Sequence, residues 1–136
     1  MAESKADQLR RVPLFSQCSK RELQFLGTQM DDVSIGAGRT LLSEGNPTDA
    51  FYLILRGEVE VSIRGRSRGR LKPGDFFGEI GMLDRGPATA TVVTTMPVEA
   101  LVLSHAQFRD AIKANEGIAL KVMATMAQRL RANTRA

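Results

Sequence analysis

The central part of the chain alternates apolar and polar residues with a period of two, broken at short intervals by glycine. The run Glu58-Val59-Glu60-Val61-Ser62-Ile63 is the clearest case. It predicts a strand with Val59, Val61 and Ile63 facing inward and the carboxylates facing water. Strands are also predicted over 32–35, 39–43, 51–56, 90–95 and 98–103, with turns at Gly36-Ala37-Gly38, Gly45-Asn46-Pro47 and Gly57. Phe51-Tyr52-Leu53-Ile54-Leu55 is apolar on both faces, so it should be covered twice, by the β core and by helices.

Both ends of the chain read as helix instead. Residues 6–11 form a short helical segment that ends before Pro13. Ser19 and Glu22 have capping-box spacing, with Cys18 and Leu23 at the flanking apolar positions and Leu23, Leu26 and Met30 on the buried face. Ser104 and Gln107 repeat that spacing before Phe108, Ala111 and Ile112. Asn115 is the expected cap of the last helix. Its apolar face should carry Ile118, Ala119, Val122, Met123, Met126 and Leu130, with fraying from Ala132 to Ala136. The expected class is mainly β with flanking α. Specifically, it is an antiparallel β jelly roll (a double-stranded β-helix barrel) with N-terminal helices and two C-terminal helices.

At 136 residues and 43% apolar content, the chain is expected to fold as one domain without disulfide or metal staples. Its parts would be a helical segment over 1–30, a β roll over 31–104 and closing helices over 105–136. No apolar run nears membrane-spanning length, and Met1-Ala2-Glu3-Ser4-Lys5 lacks a signal peptide's apolar stretch. With a single cysteine, this points to a cytoplasmic protein with no membrane partner. One histidine and one cysteine, far apart, supply no metal cluster, so no metal and no cofactor are expected.

The net charge of +4 is concentrated. Arg64, Arg66, Arg68 and Arg70 fall within seven residues, and Arg129, Arg131 and Arg135 end the last helix. A basic loop can bind nucleic acid or an acidic partner. Without interleaved aromatic residues, the run reads better as a solvated hairpin tip, which argues against nucleic acid.

The stretch Phe77-Gly78-Glu79-Ile80-Gly81-Met82-Leu83, followed by Pro87-Ala88-Thr89-Ala90-Thr91-Val92, carries the candidate chemistry. It resembles the phosphate-binding cassette (here 74–92) of the cyclic nucleotide-binding domain family, found in catabolite-activator-like and protein kinase A regulatory-like sensors. That cassette reads F-G-E-x-x-x-L, a spacer, then P-R-x-A. The resemblance extends to Leu9…Phe15, to Gly38…Leu41…Glu44-Gly45 and to Phe51…Val59.

The resemblance implies a non-catalytic sensor of cAMP or cGMP that moves its C-terminal helix on binding. Phe77, Gly78, Ile80 and Gly81 would belong to the phosphate cradle, with Glu79 on the ribose hydroxyl. Thr89 would touch phosphate or purine, and Leu71, with Val61 and Ile63, would meet the base. The last helix would act as a lid reaching in with Met123, Met126, Arg129 and Leu130. Read from the residues alone, the two methionines fit a plain core role better.

Ala88 is the departure, because it occupies the place of the family's phosphate-binding arginine. Loss of such a partner costs about 2–5 kcal/mol of binding. Arg85 lies on the spacer side of Pro87, where the family often has a charged residue pointing to solvent. Two functions follow: a sensor of weakened affinity, or a non-binding fold kept as an interaction or dimerisation module, pairing with an effector or with itself through the C-terminal helix. A cupin-type enzyme would need metal-binding histidines on strands, whereas the single His105 opens a helix.

Overall fold

A computed structural model of the protein describes residues 3–134. The chain divides into a β unit, Met30–His105, and a helical unit made from the two ends.

The β unit holds eight strands: β1 Asp31–Ile35, β2 Thr40–Leu42, β3 Ala50–Arg56, β4 Val59–Ile63, β5 Arg66–Leu71, β6 Phe76–Phe77, β7 Thr91–Thr94 and β8 Val98–Ser104. They form two four-stranded sheets, ordered β1-β8-β3-β6 and β2-β7-β4-β5, and every pairing is antiparallel. A short helix, α3 (Glu79–Asp84), interrupts the strands between β6 and β7.

Alternation fixes the inner face. Ile54, Val59, Val92, Val98 and Ala100 are buried in one cluster with Phe77, and Val61, Leu71 and Tyr52 pack against it. Val59 is fully buried, whereas Val61 and Ile63 are half-buried. The doubly apolar β3 has Phe51, Leu53 and Ile54 completely inaccessible.

The basic run is not a loop. Arg64 and Gly65, both at positive φ, make the turn, and Arg66–Leu71 is the edge strand β5. Arg66, Arg68 and Arg70 on it are exposed. The register slips between Val61 and Ser62, which leaves Arg68 as the extra residue of a bulge. Arginine and glycine are poor strand formers, so pairing with β4 decides the conformation here.

The helical unit contains α1 (Lys5–Arg10), a 3-10 turn at Pro13–Phe15, α2 (Lys20–Thr28), most of α4 (His105–Ala114) and α5 (Glu116–Asn133). The capping box of α2 is complete: Ser19 Oγ accepts from Glu22 N at 3.1 Å, and Ser19 N donates to the Glu22 carboxylate at 2.8 Å. Glu22 also accepts from Lys121 Nζ of α5 at 2.5 Å. Burial alone would push the Glu22 carboxyl up, but the bonds from Lys121 and Ser19 outweigh it and hold the carboxyl below its usual range.

Two expectations about the closing helices need correction. Asn115 occupies the N-cap of α5, but its backbone is off the usual capping geometry and its side chain makes no capping bond. The inward face of α5 is Ile118, Val122 and Thr125, while Met123 is 58% and Leu130 66% exposed. Met123 is therefore not a core residue of this unit. Thr125 can be buried because its hydroxyl donates to Lys121 O at 3.0 Å. Arg135 lies outside the described residues.

Candidate functional site

Strand pairing brings the cassette into place. Tyr52 of β3 sits opposite Phe77 of β6, and their rings stack at 4.7 Å and 9°. Burial, aided by Asp49, pushes the Tyr52 hydroxyl above its ordinary value. Gly78 follows immediately and enters α3 at φ +85°. A Cβ there would lie 2.3 Å from the Ala50 carbonyl oxygen, so neither the space nor the conformation admits another residue.

A second set of contacts holds the far side of the cassette. Thr48 donates to Gly86 O through its backbone N at 3.0 Å and its hydroxyl at 2.8 Å. Gly45 N donates to Ala88 O, and Ala88 N donates to Asn46 O, each at 2.8 Å. With the Pro47–Pro87 bridge, residues 45–48 and 86–88 form a small antiparallel ladder. His105 braces α3 from below, with Nδ1 donating to Met82 O at 2.8 Å.

These elements enclose a cleft of about 590 Å³ within the β unit. Leu71, Phe77, Gly78, Glu79, Ile80, Gly81, Ala88 and Thr89 all line it, together with Val61. Nine of the residues singled out from the sequence thus share one concavity. Glu79 is half-buried, Ala88 is buried, Thr89 is exposed, and Ile80 is 45% exposed at the rim. Arg129, named from the sequence as a lid residue, is a half-buried residue of α5 in the helical unit. Ile63 is not a lining residue.

The electrostatics of the cleft are one-sided. Its charged lining residues are Glu79 and Asp84, and the β unit brings no lysine, arginine or histidine to it. Arg85 is exposed, in the left-handed region at φ 58°, with its backbone N bonded to Gly81 O. The small size of Gly81 also has a cause that the sequence concealed. A Cβ there would lie 1.8 Å from Thr48 Oγ1, so the close approach it permits is to Thr48. Thr48, itself a lining residue, was missed because its partners are more than 30 residues distant and no local pattern announces them.

The short helix α3 thus links a strand of one antiparallel sheet to a strand of the other, with a cleft beside it. Residues 32–115 match the cyclic nucleotide-binding domain, and the chain belongs to that family. It is 30% identical over 129 residues to the CRP-like cAMP-activated global transcriptional regulator of Mycobacterium tuberculosis, covering 90% of this chain and 57% of that protein. To the cAMP-dependent protein kinase regulatory subunit of Aspergillus niger it is 33% identical over 113 residues, 81% of this chain and 27% of the other. The chain thus spans 27% to 57% of the length of these two relatives. The N-terminal domain of a transcriptional regulator from Streptomyces coelicolor has the same fold, with a TM-score of 0.86 and 30% identity, covering 93% of this chain and 92% of that one. Among the described residues no helix is long and apolar enough to cross a membrane, and no three metal-binding side chains converge.

Proposed function

We propose that the chain is a regulatory sensor domain for a cyclic nucleotide, cAMP or cGMP, whose affinity is weakened by Ala88. The two sheets act as a jelly roll that carries the cleft. Gly78 and its neighbours' amides would face the phosphate, Glu79 would accept from a ribose hydroxyl, and Leu71 with Val61 would flank the base. Binding is read out by movement of α5, and the signal passes to an effector. The observation that carries this reading is the convergence of Gly78, Glu79 and Ala88 on one cleft, in a chain that belongs to the cyclic nucleotide-binding family. Titration calorimetry with cAMP and cGMP, on the unmodified protein and on Ala88→Arg, tests it. If neither protein takes up either nucleotide, the sensor reading fails.

A second reading is favoured by α5. Leu120 (65% exposed), Met123 (58%) and Leu130 (66%) recur three and seven residues apart, so they share one helix face. A stripe of that kind suits a homodimer seam, with the domain serving as an interaction module. Light scattering across a concentration series separates the two, since only the second requires self-association.

A further inference from the structure

We propose that the cleft takes neutral nucleosides as ligands, with no net preference for the cyclic phosphate over the free nucleoside. The proposal rests on the ligand-binding reading of the cleft and names the chemical class that this cleft, with its own charges, selects.

Position 88 contributes only a methyl group to the cleft, and the charged groups of the β unit there are the carboxylates of Glu79 and Asp84. A cyclic phosphate would bring a negative charge into a partly desolvated space that already holds two acids and no cation. Desolvating an anion without a charged partner is unfavourable, and like charges nearby add to the penalty. Backbone dipoles offset part of that cost but supply no net charge.

The surrounding loop supplies no substitute cation in this arrangement. Ala88 is held through both its N–H and its carbonyl by Asn46 and Gly45, and Arg85 is exposed and does not line the cleft. The rest of the cleft does suit the uncharged part of a nucleotide. Val61 and Leu71 offer apolar wall to a heterocycle, and the Glu79 carboxylate can accept from sugar hydroxyls. The volume of about 590 Å³ falls in the usual range for small-molecule sites. A neutral nucleoside keeps these contacts and avoids the penalty.

The test is calorimetric titration of adenosine beside cAMP and guanosine beside cGMP, on the unmodified protein, Ala88→Arg and Arg129→Ala. In the unmodified protein, each nucleoside should bind within about tenfold of its cyclic phosphate or more tightly. The ratio should barely change between low and high salt, because no ion pair to the phosphate is there to be screened. Ala88→Arg should swing the ratio at least tenfold toward the cyclic nucleotide.

A preference above tenfold for the cyclic nucleotide in the unmodified protein overturns the proposal. If Arg129→Ala abolishes that preference, the missing charge comes from α5. If nothing binds the unmodified protein but cAMP or cGMP binds Ala88→Arg, the nucleoside proposal falls while the ligand-binding reading stands. If no compound binds either protein, both fall together.

Discussion

Thr48 and Gly81 share a space that two ordinary side chains could not. A Cβ on Gly81 would come within 1.8 Å of the Thr48 hydroxyl oxygen and 2.7 Å of its Cβ. The hydroxyl cannot swing away without giving up its bond to Gly86 O. Alanine is ordinarily worth about 1 kcal/mol over glycine inside a helix. Here the clash should win, and Gly81→Ala should destabilise the protein by about 1–3 kcal/mol, the usual cost of overpacking. Thermal or urea denaturation measures it. Adding Thr48→Ala should recover part of the loss, and a stable Gly81→Ala single variant would show that the loop yields.

Ala88→Arg should strengthen cAMP binding at least tenfold, or about 1.4 kcal/mol. The ladder between residues 45–48 and 86–88 sets the backbone of position 88, and the side chain there faces the cleft. The gain should shrink as salt rises, because it comes from one charge pair. Sub-micromolar cAMP affinity in the unmodified protein would contradict the weakened-site reading and require a cation from another residue.

Glu22 links stability to pH. Its folded carboxyl is held below the ordinary value of 4.5, chiefly by Lys121 and Ser19 acting against burial. The contribution is therefore complete above the ordinary carboxylate value and lost as pH falls through the depressed folded one. Glu22→Gln should cost about 1–3 kcal/mol at pH 7, as for a hydrogen bond to a charged group. The gap from the unmodified protein should narrow in denaturation series run near pH 3.

Cys18 is buried, and burial and the nearby Glu22 carboxylate push its thiol up to about 11, against the opposing pull of Lys121. Almost no thiolate exists at neutral pH, so alkylation should be slow. Labelling with iodoacetamide should accelerate sharply at the denaturant concentration that unfolds the helical unit. Rapid labelling of the native protein would mean that this unit opens readily.

If α5 self-associates, a charge in its exposed stripe should abolish the dimer without harming the fold. Leu120→Glu is the variant of choice, because Leu120 is 65% exposed and contributes little to the core. Light scattering should report a monomer for the variant at concentrations where the unmodified chain is dimeric, with the melting midpoint of dilute samples unchanged.

Much of this was legible in the chain itself, and the exceptions share a cause. β4 declares itself through Val59 and Val61, and the α2 cap through Ser19 and Glu22, because each signal lies within a few residues. The cassette was legible through its ordered motif. β5 was not, since Arg66, Ser67, Arg68 and Gly69 have a loop's composition and are held extended by hydrogen bonding to β4. The face of α5 is only partly legible, because Met123 and Leu130 have helical spacing with Ile118 and Val122 yet stand exposed, while Thr125 enters the interior by satisfying its own hydroxyl. The role of Gly81 depends on Thr48, a neighbour in space only.

The basic run has a consequence for the protein's behaviour at high concentration. β5 ends its sheet, so one side of its backbone is open to pairing with a strand from another molecule. Arg66, Arg68 and Arg70 stand exposed along that side, and the bulge at Arg68 breaks the regular spacing that an incoming strand would need. Among the described residues, Arg70 alone of the three forms an ion pair, a loose contact with Glu58 at 3.7 Å that neutralises little of the charge. A second β5 edge would bring the same cations, so edge-to-edge growth of the sheet is opposed by repulsion. The arginines keep an unfinished sheet from becoming the seed of an aggregate.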